Sequence, residues 1–205
     1  MELKELQELW EKKSVLFCDR EEVEITNDVF SKCCKKTQEL ILGSILISND
    51  CYALKTICQR LDFVNMTPIE QIYLTAFIIY THFSNRNLQN KIGFEIFSQE
   101  PIMCGNKEYV VDFLINKATY NGQEFELNNK VVIECDGYDY HSSKQQRNND
   151  TERENNLKLI GYSVIRFTGS QIYKDPYLCV IQTIKFLFDR NKELNFNIGE
   201  TNGNI

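Results

Sequence analysis

Apolar residues recur at helical spacing through the first third of the chain. Leu3, Leu6, Leu9 and Trp10 lie three or four positions apart. Thr26–Asn27–Asp28 offers caps for a helix carrying Val29, Phe30, Cys33 and Cys34, and Leu40–Ile47 and Ala53–Leu61 carry one or two more. Residues 1–65 thus read as a helical N-terminal region, serving packing or recognition. The pattern then changes. Thr67–Pro68 with Glu70 predicts a helix start: Thr as N-cap, Pro in the first turn, and Glu closing a capping box. A strongly apolar helix runs on to about Phe83, and Ser84–Asn90 is polar and turn-like.

Strand-like runs follow at Gly93–Ser98, Tyr109–Asn116 and Lys130–Asp136. The last two are dense in Val, Ile and Phe, as central strands are. Asn121–Gly122 marks a tight turn between them. Ser142–Ile160 suits a helix with Gly161 as its C-cap. Tyr162–Phe167 reads as a fourth strand and Asp175–Asp189 as a final amphipathic helix. Helix, three strands, helix, strand, helix is an α/β order, with helices flanking a sheet. The expected division is 1–65, 66–190 and a flexible tail at 191–205. No internal repeat is visible.

Composition narrows the class. The chain has 205 residues, 42% hydrophobic and 25% charged, with 9 Gly and 3 Pro. That is a globular composition, and the length is enough to bury a sizeable core. The net charge of −6 argues against holding nucleic acid by bulk positive charge. No apolar run spans a bilayer, and MELKELQELWEKK lacks the apolar centre of a signal peptide. The eight Cys show no CxxC spacing, and only His82 and His141 are available to complete a metal set. Free thiols in a reducing cytoplasm are expected.

The candidate chemistry sits on the second and third strands. Asp112 follows two Val residues, and Glu134 interrupts Val132–Ile133 with no turn nearby. A carboxylate in so apolar a strand is costly unless paired with a cation. Glu134 and Asp136 are two apart and share a strand face. If the strands are neighbours, Asp112 joins them in a hard oxygen site suited to Mg²⁺ or Mn²⁺. Such a site activates water and neutralises charge on a phosphate. His141, beyond the Gly137 break, is a candidate proton-handling group. Taken singly, Asp136–Gly137 also reads as a turn, Asp112 as a buried partner of an Arg, and His141 as a packing residue.

The stretches TPIEQ, SQEPI, YVVDFLI, VVIECDGYDYH and DTERENNLKLIGYSVIRFTGSQI together resemble the PD-(D/E)xK restriction-endonuclease-like superfamily. The likeness is greatest to very-short-patch-repair-like nucleases and their uncharacterised bacterial relatives, over about residues 66–187. It implies a restriction-endonuclease-like αβββαβ core with a mixed sheet flanked by helices, here with an N-terminal helical appendage. It implies a Mg²⁺- or Mn²⁺-dependent endonuclease that hydrolyses double-stranded DNA. Asp112 would be the shared metal-binding aspartate and Glu134 the second acidic ligand. Asp136 stands where the superfamily usually carries a lysine, and His141 would take over proton handling, as in the repair-like branch. Lys144 and Gln145 are alternative stand-ins for that lysine. Glu70 matches a helix glutamate that reaches the metal site, and Gln99 a glutamine of the first strand. Arg153 either touches phosphate or pairs with Asp150 at i,i+3, and Arg166–Phe167 reads as structural. The first 65 residues do not match the repair enzyme, nor is the paired Cys/His pattern of its zinc present. A catalytically inactive nuclease-fold module binding nucleic acid or protein, as in a defence or mobile-element system, is the competing expectation. A homodimer, and a protein partner docking through residues 1–65, remain open at this point.

Overall fold

The computed structural model describes residues 28–48, 52–60, 63–87, 92–120, 125–137 and 144–189. After a short helical turn at residues 28–32 come α1 (Lys35–Ser48) and α2 (Tyr52–Cys58), then a 3-10 turn at Phe63–Asn65 and α3 (Pro68–Asn87). Next are β1 (Ile92–Cys104), β2 (Lys107–Tyr120), β3 (Phe125–Asp136), α4 (Lys144–Leu159) and β4 (Ser163–Thr168). Two helices follow: α5 (Gly169–Lys174) and α6 (Pro176–Asp189). The sheet order is β1-β2-β3-β4, antiparallel except for the parallel β3–β4 pair. A parallel pair needs a crossover, and α4 supplies it. This is the expected α/β class and element order, a mixed sheet flanked by helices. The helical spacing at Leu3–Trp10, the Asn121–Gly122 turn and the tail at 191–205 lie outside the described residues.

Local signals act where the sequence places them. Thr67 caps α3: Glu70 N–H donates to Thr67 Oγ1 at 3.4 Å, and Glu70 Oε2 accepts from Thr67 N–H at 3.1 Å. Gly161, at φ +91°, ends α4 in a Schellman motif. There Tyr162 N–H donates to Leu157 O and Gly161 N–H to Lys158 O, both at 3.0 Å. Three expectations need correction. α3 does not end near Phe83 but runs on through the polar Ser84–Asn87. The first strand does not stop at Ser98; it continues through Pro101 to Cys104 and turns at Gly105–Asn106 into β2. Proline is tolerated because β1 is an edge strand, and Gly105 takes the positive φ of the two-residue turn. The last is α5, a separate helix capped by Thr168, whose side chain accepts from Gln171 N–H.

One face of the sheet carries the main core. Phe113, Ile115, Val131, Ile133 and Phe167 pack there against Tyr73 and Phe77 of α3 and Cys179, Val180 and Ile184 of α6. Phe30, Ile41, Ile45, Leu54 and Phe63 extend the same core, so α1 and α2 share it. Arg60, just after α2, covers the free edge of β1: Nη1 donates to Ile96 O at 3.1 Å and Nη2 to Ser98 Oγ at 2.7 Å. A smaller cluster of Ile102, Val111, Leu114, Val132 and Leu157 seats α4.

The sheet also forks. The β2–β3 ladder ends at Phe113–Ile133. Beyond it, β2 stays paired with β1 out to Lys107–Cys104, while β3 stays paired with β4 out to Asp136–Thr168. The two arms are bridged by α4. Its Leu157 packs with Ile102, Asn156 Nδ2 donates to Tyr109 Oη at 2.8 Å, and Lys107 pairs with Glu152 at 3.2 Å.

Candidate active site at the sheet fork

Asp112 stands on one arm of the fork, Glu134 and Asp136 on the other. Asp112 Oδ2 accepts the Cys135 N–H at 2.7 Å, replacing the ladder bond lost where the strands part. Burial raises the Asp112 pKa. The Cys135 hydrogen bond and Arg153 oppose that rise, and the charge on Asp136 adds to it. Glu134 is only 5% exposed. Arg153, one helical turn before Leu157 on α4, places Nη2 2.8 Å from Glu134 Oε1 and also donates to Val110 O on the other arm. Burial outweighs this arginine and pushes the Glu134 pKa up to about 7, with the neighbouring carboxylates adding to the rise. Arg166 of β4 lies beside Glu134 in the parallel register, with Nη1 3.7 Å from Asp136 Oδ1.

Glu70 keeps its capping box and also feels Asp112. Burial raises its pKa first and the Asp112 charge second, while its bonds to Thr67 lower it. The capping box is therefore formed, and Glu70 lies near enough to the fork to feel the charge on Asp112. The Cys135 thiol, packed against the main core, is held well above its ordinary pKa by burial and then by Asp112, Glu70, Glu134 and Asp136. Gln99 lies between the Ser98–Phe113 and Glu100–Val111 pairs, across from Asp112. It is the one described non-glycine residue with positive φ, at 50°, and it is exposed.

The structure thus brings Asp112, Glu134, Asp136 and Arg153 together at the fork, with Glu70 and Gln99 beside them. Arg153 reaches Glu134 on β3. Lys144 is the first residue of α4, but its side chain and that of Gln145 lie outside the described residues, as does His141. Arg166, read from the sequence as structural, faces the acidic cluster. Its signal was the one that marked Glu134, a charge between apolar strand neighbours Ile165 and Phe167. The role of the Cys135 N–H left no trace in the residue pattern, because any residue carries that group.

Among the described residues, four carboxylates face two arginines here, leaving two formal negative charges. The donor set is hard oxygen, and the charges on Asp112 and Asp136 add to the rise of the Glu134 pKa, so its chemistry suits a divalent cation such as Mg²⁺. As the side chains stand, no group of three described His, Cys, Asp or Glu residues is arranged to hold a metal ion. Glu134 is engaged by Arg153 instead.

The described thiols of Cys34, Cys104, Cys135 and Cys179 form no disulfide. No described helix is long and apolar enough to cross a membrane. No curated protein and no solved structure matches the chain. A family model does: REase_MTES_1575, a restriction-endonuclease-like family, matches residues 86–187. That span runs from the end of α3 through the forked sheet and its carboxylates into α6, and its mixed sheet flanked by helices is consistent with a restriction-endonuclease-like core.

Proposed function

We propose that the chain is a metal-dependent endonuclease hydrolysing phosphodiester bonds of double-stranded DNA, acting in the cytoplasm. The observation that carries this reading is the fork. Asp112 and Glu134, from strands that have just parted, face each other with Asp136 in a cluster of net negative charge. Asp112, Glu134 and Asp136 are the residues that would hold Mg²⁺ or Mn²⁺, which supplies polarisation of water and neutralisation of phosphate charge. Cys135 N–H fixes the Asp112 carboxylate, and Glu70 adds negative charge from α3. Arg153 and Arg166 supply fixed positive charge where the superfamily lysine is absent, and His141 remains the candidate proton-handling group. An acidic chain with such a site binds DNA weakly without divalent cations.

The test is cleavage of supercoiled plasmid and single-stranded DNA in EDTA, Mg²⁺ and Mn²⁺. Metal-dependent cleavage is expected, with Asp112→Ala and Glu134→Ala each losing roughly a hundredfold or more while remaining folded. Undiminished cleavage in both variants would overturn the assignment. A second reading, a nuclease-fold binding module without catalysis, draws on the Arg153–Glu134 pair. It predicts DNA retention without cleavage in any metal.

A further inference from the structure

Arg153 is bonded to both arms of the fork at the carboxylates. Its Nη2 serves two acceptors at once, Glu134 Oε1 at 2.8 Å and Val110 O. The contact to Glu134 is single-pronged, and Arg153 Nε is buried with no hydrogen-bond partner. A guanidinium at its best grips a carboxylate with two parallel bonds. Here one donor is shared and another goes unused, so the pair is poorer than the residue types allow. Breaking it without replacement would still strand Glu134 as a buried charge. The pair is therefore one that a better cation can exchange and water cannot.

We infer that Arg153 is the resident counter-ion of the fork: it holds Glu134 in the cation-free protein and yields that carboxylate to a divalent ion. This rests on reading the fork as a metal-binding nuclease centre. It explains why the donor set has the chemistry of a cation site while Glu134 is turned to an arginine. Arg153 is then a positioning residue, keeping Glu134 at the fork, with its guanidinium left beside the bound ion after exchange.

The experiment compares Mn²⁺ and Mg²⁺ affinity by calorimetry in wild type, Arg153→Gln and Arg153→Lys, together with thermal unfolding in EDTA and in excess Mg²⁺. Removing the competing cation should tighten Mn²⁺ binding by about tenfold in Arg153→Gln. Its unfolding temperature should fall in EDTA and recover with Mg²⁺ by more than the wild-type shift. Arg153→Lys, which keeps the charge but loses the reach to Val110, should fall between the two, and it carries the test if the Gln variant does not fold. Wild-type binding that folded variants leave unchanged or weaken overturns the inference while the nuclease reading stands. No divalent binding by any of the three proteins overturns that reading and the inference with it.

Discussion

Burial and an arginine pull Glu134 in opposite directions, and burial wins. Its folded pKa of about 7 stands above the ordinary 4.5. Between those values the folded protein keeps a proton that the unfolded chain has released. The stability Glu134 contributes is therefore full below pH 4.5 and is lost as pH rises towards 7, by about 3 kcal/mol in the limit. Asp112 and Glu70 are shifted in the same direction. In EDTA the unfolding temperature should fall from pH 5 to pH 7.5, and Glu134→Gln should flatten much of that slope. A wild-type profile rising across this window would contradict the assigned environment. A proton on Glu134 also competes with a cation, so metal-dependent cleavage should grow as pH passes through about 7. The carboxylates were legible because a charge inside Val-Ile-Glu-Cys cannot be casual. The partner of Glu134 was not, since Arg153 reaches it only because α4 crosses the fork, and residues 134 and 153 share no local periodicity.

Strands and helices with strong local punctuation were legible in the sequence. Thr67, Pro68 and Glu70 start α3, Gly161 stops α4, and the apolar run Val131–Ile133 marks β3. The β1–β2 hairpin was read short because Gln99, Glu100 and Pro101 look like a break. All three sit on an edge strand, where the ladder asks least of them. Gln99 does so at φ 50°, a left-handed conformation costing a non-glycine residue roughly 1–2 kcal/mol. Gln99→Gly should therefore raise stability by about 0.5–1 kcal/mol, the relief of the left-handed backbone less the added freedom of glycine. Denaturant unfolding reads this directly. A stability loss would mean that the Gln99 side chain holds the strand more firmly than its backbone strains it. α5 was missed although Thr168-x-x-Gln171 is a readable capping signature, because it follows β4 with no intervening loop.

At the scale of the molecule, one core joins the N-terminal helices to the sheet. Leu54 of α2 is fully buried in the same cluster as Phe113 and Ile133. Leu54→Ala should cost about 2–5 kcal/mol, and it should lower one unfolding transition seen alike by probes on α2 and on the sheet. Two separated transitions would show that the helices fold apart from the sheet despite the shared core. The fork has a further consequence for how such a domain can be altered. The spacing of Asp112 and Glu134 is set at the crotch, where the last β2–β3 pair and the Cys135 N–H pin both strands. The Gly105–Asn106 tip lies at the far end of one arm, beyond five further residue pairs of the β1–β2 hairpin. Lengthening or replacing that tip changes what the arm can reach while leaving the carboxylates in register, so the hairpin end is the natural graft point for a new recognition element.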